Sequence, residues 1–303
     1  MTDLPELFRG FDRRTIDVGG GIEIFCRIGG EGPPLVLLHG YPQTHACWRR
    51  VAARLAGRFQ LILPDLRGYG RSSAPPPAPH GANYAKREMA NDVVRLMEVL
   101  GHERFALAGH DRGARVGYRL ALDHPGKLTR LAVLDIVPTA EMWAAMDARM
   151  AISTYHWAFL AQAAPLPETL ISADPMLYLD RTLASWSASG LEAFDEASLA
   201  HYRAFFAEPA RIAATCGDYR AGASVDVSHD ASDRESSKMI DVPVLALWGE
   251  RGFPGQIGSP LEIWRTWAHD VQGRSLNCGH FLPEEAPAET AEALLQFFEG
   301  ASA

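Results

Sequence analysis

The residues best suited to chemistry sit in one short segment, Gly109-His110-Asp111-Arg112-Gly113, which follows an apolar run and precedes a helical one. Glycine, any residue, nucleophile, any residue, glycine is the spacing of a nucleophile elbow. There a strained strand-to-helix turn lifts the central side chain above a sheet, and the flanking backbone passes too close for side chains. The central position usually carries serine; here it carries Asp111. A serine must be ionised by a base, whereas a carboxylate with an ordinary pKa of about 4 is already charged at neutral pH. Such a carboxylate can displace a leaving group from a tetrahedral carbon and form an ester on the protein. Water must then cleave that ester, so a base is still required, but for the second step.

His280, in the segment NCGHFLPEEAP, is the candidate base, because it falls between the last strand expected and the last helix; the ten other histidines suit surface or core roles. The base needs an acid to fix its tautomer and stabilise its cation. Asp135, at the end of the run LAVLDIVP, is preferred over Glu250, which follows Trp248-Gly249. Gly252 occupies a place where an aspartate is common in this architecture.

Short apolar runs must position these groups. After a hairpin expected over 15–18 and 22–28 come PPLVLLHG, FQLILPDL, RFALAGH and LTRLAVLDIV, and later VPVLALWG and RSLNCGHFL. Runs that are apolar throughout and bounded by Gly or Pro suit strands buried on both faces of a parallel sheet. Helical stretches are expected at 45–55, 86–100, 113–124, 260–268 and 287–298. Within 89–100, Val93, Val94, Leu96, Met97 and Leu100 share a face, as on a helix lying against a sheet. From 139 to 239 no convincing strand is legible, only helical stretches rich in Ala, Trp, Tyr and Phe. The expected architecture is an α/β fold with a mostly parallel, doubly wound sheet, formed by 1–138 and 240–303, and a helical cap inserted over 139–239. The tract APPPAPHG reads as a surface loop.

Composition excludes several partners. The chain has 303 residues and a net charge of −8, with no basic run of the kind that nucleic acid or anionic lipid requires. No apolar stretch approaches the length of a membrane span, and the first residues lack a secretory pattern. The four cysteines show no metal-ligand spacing and suit a reduced, cytoplasmic protein without metal or cofactor.

The chain resembles the fluoroacetate (haloacetate) dehalogenases of the α/β-hydrolase superfamily. The likeness runs nearly full length, through HGYPQTH (39–45), AGHDRGARVGYRLALDHPG (108–126), LDIVPT (134–139), YHWAFLAQ (155–162), DYRAGA (218–223), LALWG (245–249) and GHFLPEEAP (279–287). Asp-Arg-Gly-Ala-Arg together with Tyr-His-Trp is the specific part; HGxP and the elbow are shared with the wider superfamily. The resemblance implies that Arg112 and Arg115 hold a substrate carboxylate, which a guanidinium fork matches and which a neutral haloalkane lacks. It implies that His156, Trp157 and Tyr219 donate to the departing halide, and that the backbone N–H groups of Tyr41 and Arg112 meet the oxyanion. Tyr41 stands where phenylalanine is common in that family, and Trp186 suits either the pocket entrance or packing. A small anionic haloacid as substrate and a homodimer follow by the same analogy. The rival readings are an epoxide hydrolase, which would need two phenols from among Tyr155, Tyr178, Tyr202 and Tyr219, and a noncatalytic binding protein on the same fold.

Overall fold

The computed structural model describes residues 4–300. Its sheet has eight strands: β1 (Asp12–Asp17), β2 (Glu23–Gly29), β3 (Pro34–Leu38), β4 (Gln60–Pro64), β5 (Phe105–His110), β6 (Leu128–Leu134), β7 (Val244–Gly249) and β8 (Val271–Leu276). They lie in the order β1-β2-β4-β3-β5-β6-β7-β8. β2 runs antiparallel to β1 and β4, and every other pairing is parallel. The hairpin therefore forms one margin of the sheet, with β1 at the edge, and the apolar runs form the parallel part. All six residues of β5 are buried, as are Leu35 to Leu38 of β3, which is why these strands show no alternation in sequence.

Helices α1 (Arg49–Leu55), α2 (Lys86–Val99) and α3 (Arg112–Asp123) link the central strands. A 3-10 turn at His45–Trp48 precedes α1, so the stretch expected as one helix divides in two. Thr44 caps that turn by accepting from the Ala46 N–H.

Between β6 and β7 the described residues form helices and no strand: α4 (Thr139–Ala144), α5 (Ala148–Ser153), α6 (His156–Leu160), α7 (Leu166–Ala173), α8 (Pro175–Trp186), α9 (Glu196–Phe206), α10 (Pro209–Gly222) and α11 (Val225–Glu235). The aromatic-rich stretch 141–162 is broken into α4, α5 and α6, because Asp147 leaves helical geometry and caps α5 by accepting from Met150 N–H. The chain closes with α12 (Pro260–Arg265), shorter than expected, then α13 (Leu282–Glu285) and α14 (Pro287–Glu299).

The chain leaves β3 toward β4 and then returns past β3 to β5, so the strand order reverses between β3 and β5. Loops leaving two adjacent parallel strands in opposite directions open a crevice at their carboxyl ends. The loops after β3 and β5 carry Tyr41 and Asp111 into that crevice.

Candidate active site

Asp111 sits between β5 and α3 with φ 48° and ψ −116°, a conformation that costs a non-glycine residue on the order of 1–3 kcal/mol. The flanking glycines are sterically required. A Cβ on Gly113 would lie 2.4 Å from the His39 carbonyl oxygen, and one on Gly109 would lie 2.5 Å from the Ala114 nitrogen. The Tyr41 N–H donates to Asp111 Oδ1 at 2.8 Å. Oδ2 is thereby left as the free oxygen, 3.9 Å from His280 Nε2. Burial alone would raise the Asp111 carboxyl, but His280 and Arg112 beside it hold it below the usual carboxylate range.

His280 and Asp135 meet directly. His280 Nδ1 lies 2.6 Å from Asp135 Oδ2, and Asp135 Oδ1 accepts from the Gly249 N–H at 2.8 Å. Asp135 also has a positive φ, 54°, so both carboxylates stand on strained backbone at the ends of neighbouring strands. Gly252 makes room for this arrangement, since a Cβ there would lie 2.5 Å from Asp135 Oδ1. Glu250 points away and is exposed. Burial lowers the His280 imidazole, but its bond to Asp135 and the charge of Asp111 outweigh burial and raise it. Its Nε2 is buried and has no partner among the described residues.

The two arginines differ. Arg112 is fully buried and ion-paired to Asp218, a residue the sequence reading did not single out. Arg115 is also buried, yet no carboxylate of the described residues lies within ion-pair distance of it. Its Nη1 donates to Val137 O at 3.0 Å and Thr139 Oγ1 at 3.1 Å, and its Nε has no partner among the described residues. The Trp157 ring faces the Arg115 guanidinium at 4.6 Å, and the Tyr219 ring faces Arg112 at 4.3 Å.

A small cavity of about 20 Å³ is lined by Asp111, Arg115, Asp135, Met142, His156, Trp157, Trp186, Phe253 and His280, among others. Trp186 lines it, its ring 4.2 Å from that of His156. Burial holds the His156 imidazole far below its usual pKa, so it stays neutral, and its Nδ1 is buried without a partner among the described residues. Tyr219 and Arg112 are not among the residues that line it. A far larger concavity, about 800 Å³, lies between the proline-rich loop and α10, but it is lined by none of the groups around Asp111. Chemically, the small site can supply a charged oxygen nucleophile, an imidazole held by an acid, an uncompensated cation and a ring of polar and aromatic groups. No local sequence signal marks Asp218, which lies 106 residues from Arg112.

A sequence model of the α/β hydrolase fold matches residues 33–287. Fluoroacetate dehalogenase of Burkholderia sp is 43% identical over 295 residues, spanning 97% of this chain and 96% of its own length. Soluble epoxide hydrolase of Corynebacterium sp. strain C12 is 35% identical over 272 residues, spanning 89% and 91%. The solved structure of a Nostoc sp PCC 7120 protein, provisionally assigned as an α/β hydrolase, superposes with a TM-score of 0.92 at 49% identity and covers 95% of this chain and 98% of that one.

Proposed function

Because the chain belongs to the α/β-hydrolase family, we propose that it is a haloacetate dehalogenase, which converts fluoroacetate or another short 2-haloacid to the 2-hydroxyacid and halide. Asp111 Oδ2 attacks the halogen-bearing carbon. The carbon–oxygen bond of an Asp111 ester forms as the carbon–halogen bond breaks, and halide departs with the bonding pair. Hydrogen-bond donors of His156, Trp157 and Tyr219 replace its hydration. A water then gives a proton to His280 Nε2 and adds its oxygen to Asp111 Cγ, while the Tyr41 N–H, with that of Arg112, meets the oxyanion at Oδ1. Collapse breaks the ester bond, the hydroxyacid leaves with the proton from His280, and the second water proton, left on the Asp111 carboxyl, is released to solvent to regenerate the carboxylate. Asp135 holds the imidazole in the required tautomer throughout.

The observation that carries this reading is Arg115, a buried cation beside Asp111 with no carboxylate of the described residues paired to it. A substrate carboxylate completes it, and a neutral epoxide does not. Of the four phenols an epoxide hydrolase could draw on, Tyr155 is half exposed and the Tyr202 hydroxyl is bonded to Glu284, which leaves Tyr178 and Tyr219. His280→Asn exposed to a haloacetate should accumulate the ester on Asp111, seen as added mass on the intact protein and on the peptide containing Asp111. A folded His280→Asn protein that stays unmodified rules the mechanism out. Wild-type diol release from an epoxide without halide release from any haloacid favours the epoxide reading, and binding without turnover of either favours a noncatalytic one.

A homodimer and a cytoplasmic setting belong to the same proposal. Ile152, Leu166, Leu170 and Leu177, on α5, α7 and α8, are exposed and would suit a second copy. The four cysteines are free and buried, as a reducing compartment favours, and no described helix is long and apolar enough to cross a membrane.

A further inference from the structure

The guanidinium of Arg112 is almost wholly committed before any substrate arrives. Its Nε lies 3.1 Å from both carboxylate oxygens of Asp218, and its Nη2 donates to the Asp218 carbonyl at 2.9 Å and also to the carboxylate. Only Nη1 lacks a partner among the described residues. Asp218 and Tyr219 are consecutive on α10 and hold the edge and the face of the same guanidinium. Asp218 is itself fixed from the core: the Tyr69 hydroxyl donates to it at 2.7 Å, and the Lys86 ammonium bonds it while also lying 3.5 Å from Asp226. A guanidinium so neutralised offers one directed donor and little net charge. Arg115 has the opposite character.

We propose that Asp218 is a positioning residue for substrate recognition: it holds Arg112 in one orientation with only Nη1 left to donate, and cancels its charge so that Arg115 supplies the net attraction for a carboxylate. The proposal rests on the haloacid reading of the site. Without Asp218 the two adjacent cations repel each other, and Arg112 can rotate away from the orientation that a carboxylate needs. The loss falls on charged substrates, because an amide neither requires a net positive site nor accepts a fork of charge-assisted bonds.

The test compares kcat and KM for chloroacetate and chloroacetamide in the wild type, in the double variant Asp218→Asn/Lys86→Met and in Tyr69→Phe. The double variant removes one charge of each sign, so Lys86 is not left unpaired. It should raise the chloroacetate KM about tenfold, the size of one charge-assisted contact, with kcat within about threefold and the chloroacetamide KM within about twofold. Tyr69→Phe keeps every charge and loosens Asp218 by one hydrogen bond, so a selective rise of about twofold is expected. That variant decides the matter if the double variant does not fold. A KM that rises equally for both substrates, or a chloroacetate KM that stays the same or falls, overturns the proposal. A wild type that releases no chloride instead sinks the haloacid reading, and the proposal with it.

Discussion

On the sheet side of the site, Asp111, Asp135, His280 and the Tyr41 N–H stand on loops that leave four parallel strands, and two of them sit on backbone with positive φ. On the helical side, His156, Trp157, Trp186 and Tyr219 come from α6, α8 and α10, and are placed by ring contacts and by ion pairs that α10 and α11 make with α2 and α3. Backbone held by a ladder of sheet hydrogen bonds is stiff, and on the proposed mechanism it fixes the atoms that make and break bonds. Side chains packed between short helices tolerate change, and they shape what is admitted. Substitutions on the sheet side should therefore abolish turnover, and those facing the helical side should change substrate choice, through KM or through the leaving halide.

The largest effect belongs to Asp111. Asp111→Asn keeps the hydrogen bond from Tyr41 N–H and the shape of the turn but removes the nucleophile. Halide release from haloacetate should fall by about 10⁴-fold or more, the scale seen when a reacting group is removed. Folding should be retained, as circular dichroism would register. Residual turnover above a hundredth of wild type would mean that the sheet side does not hold the chemistry.

Next is Arg115, which joins the two sides by placing its charge next to Asp111 and its plane against Trp157. Arg115→Met replaces a buried cation with an apolar chain of similar length. The kcat/KM for chloroacetate should drop about 10- to 100-fold, as for loss of a charge-assisted bond, while chloroacetamide changes by less than about threefold. Equal losses on both substrates would assign Arg115 to packing alone.

The sheet was legible in the sequence because burial on both faces writes an unbroken apolar run, and β3 to β7 fall where those runs do. The elbow was legible from its glycines. Asp135 could be preferred over Glu250, and the structure gives the physical reason: Gly252 vacates the space that the Asp135 carboxylate fills. The breaks within 141–162 were less legible, because alanine and aromatic residues suit one long helix or three short ones equally, and the capping Asp147 decides. Asp218, Lys86 and Tyr69 were missed, although DYRAGA was noted for its tyrosine. Their partners are 106, 132 and 149 residues apart, and no local spacing records such pairs.

The pH dependence separates the two chemical steps. Asp111 is held below the usual range, so it stays charged and should alkylate equally well from about pH 6 to 8. His280 must be neutral to take a proton from water, so ester hydrolysis should slow as pH falls through the pKa that His280 has in the ester. Formation of the ester removes the Asp111 charge, one of the causes that raise the His280 pKa, so the limb seen in ester hydrolysis should lie below the pKa of His280 in the free protein. Rapid-quench mass spectrometry of the ester at several pH values checks both. The intermediate should accumulate on the acid side by up to about tenfold per pH unit. A halide burst that weakens in parallel with hydrolysis would show that His280 also governs the first step.

The smallest effect is expected where the chain crosses from β6 into the helices. There the Tyr118 hydroxyl lies 3.0 Å from Thr139 Oγ1 and 3.0 Å from Asp230 Oδ2, and it accepts from the Thr139 N–H at 3.2 Å. Asp230 also pairs with Arg119 at 2.7 Å and accepts from the Ala140 N–H at 3.0 Å, so this cluster seats the first and last of these helices on α3. Tyr118→Phe removes the hydroxyl and leaves the ion pair, at a cost of about 1–2 kcal/mol of stability. Since Thr139 also accepts from Arg115, the variant asks whether the seat and the recognition site act as one. If placement by several redundant contacts is what characterises the helical side, kcat/KM for chloroacetate stays within about threefold while the unfolding midpoint in urea falls. A loss beyond tenfold with little change in stability would mean that one hydroxyl governs Arg115 as strictly as backbone governs Asp111, and the contrast between the two sides would not hold.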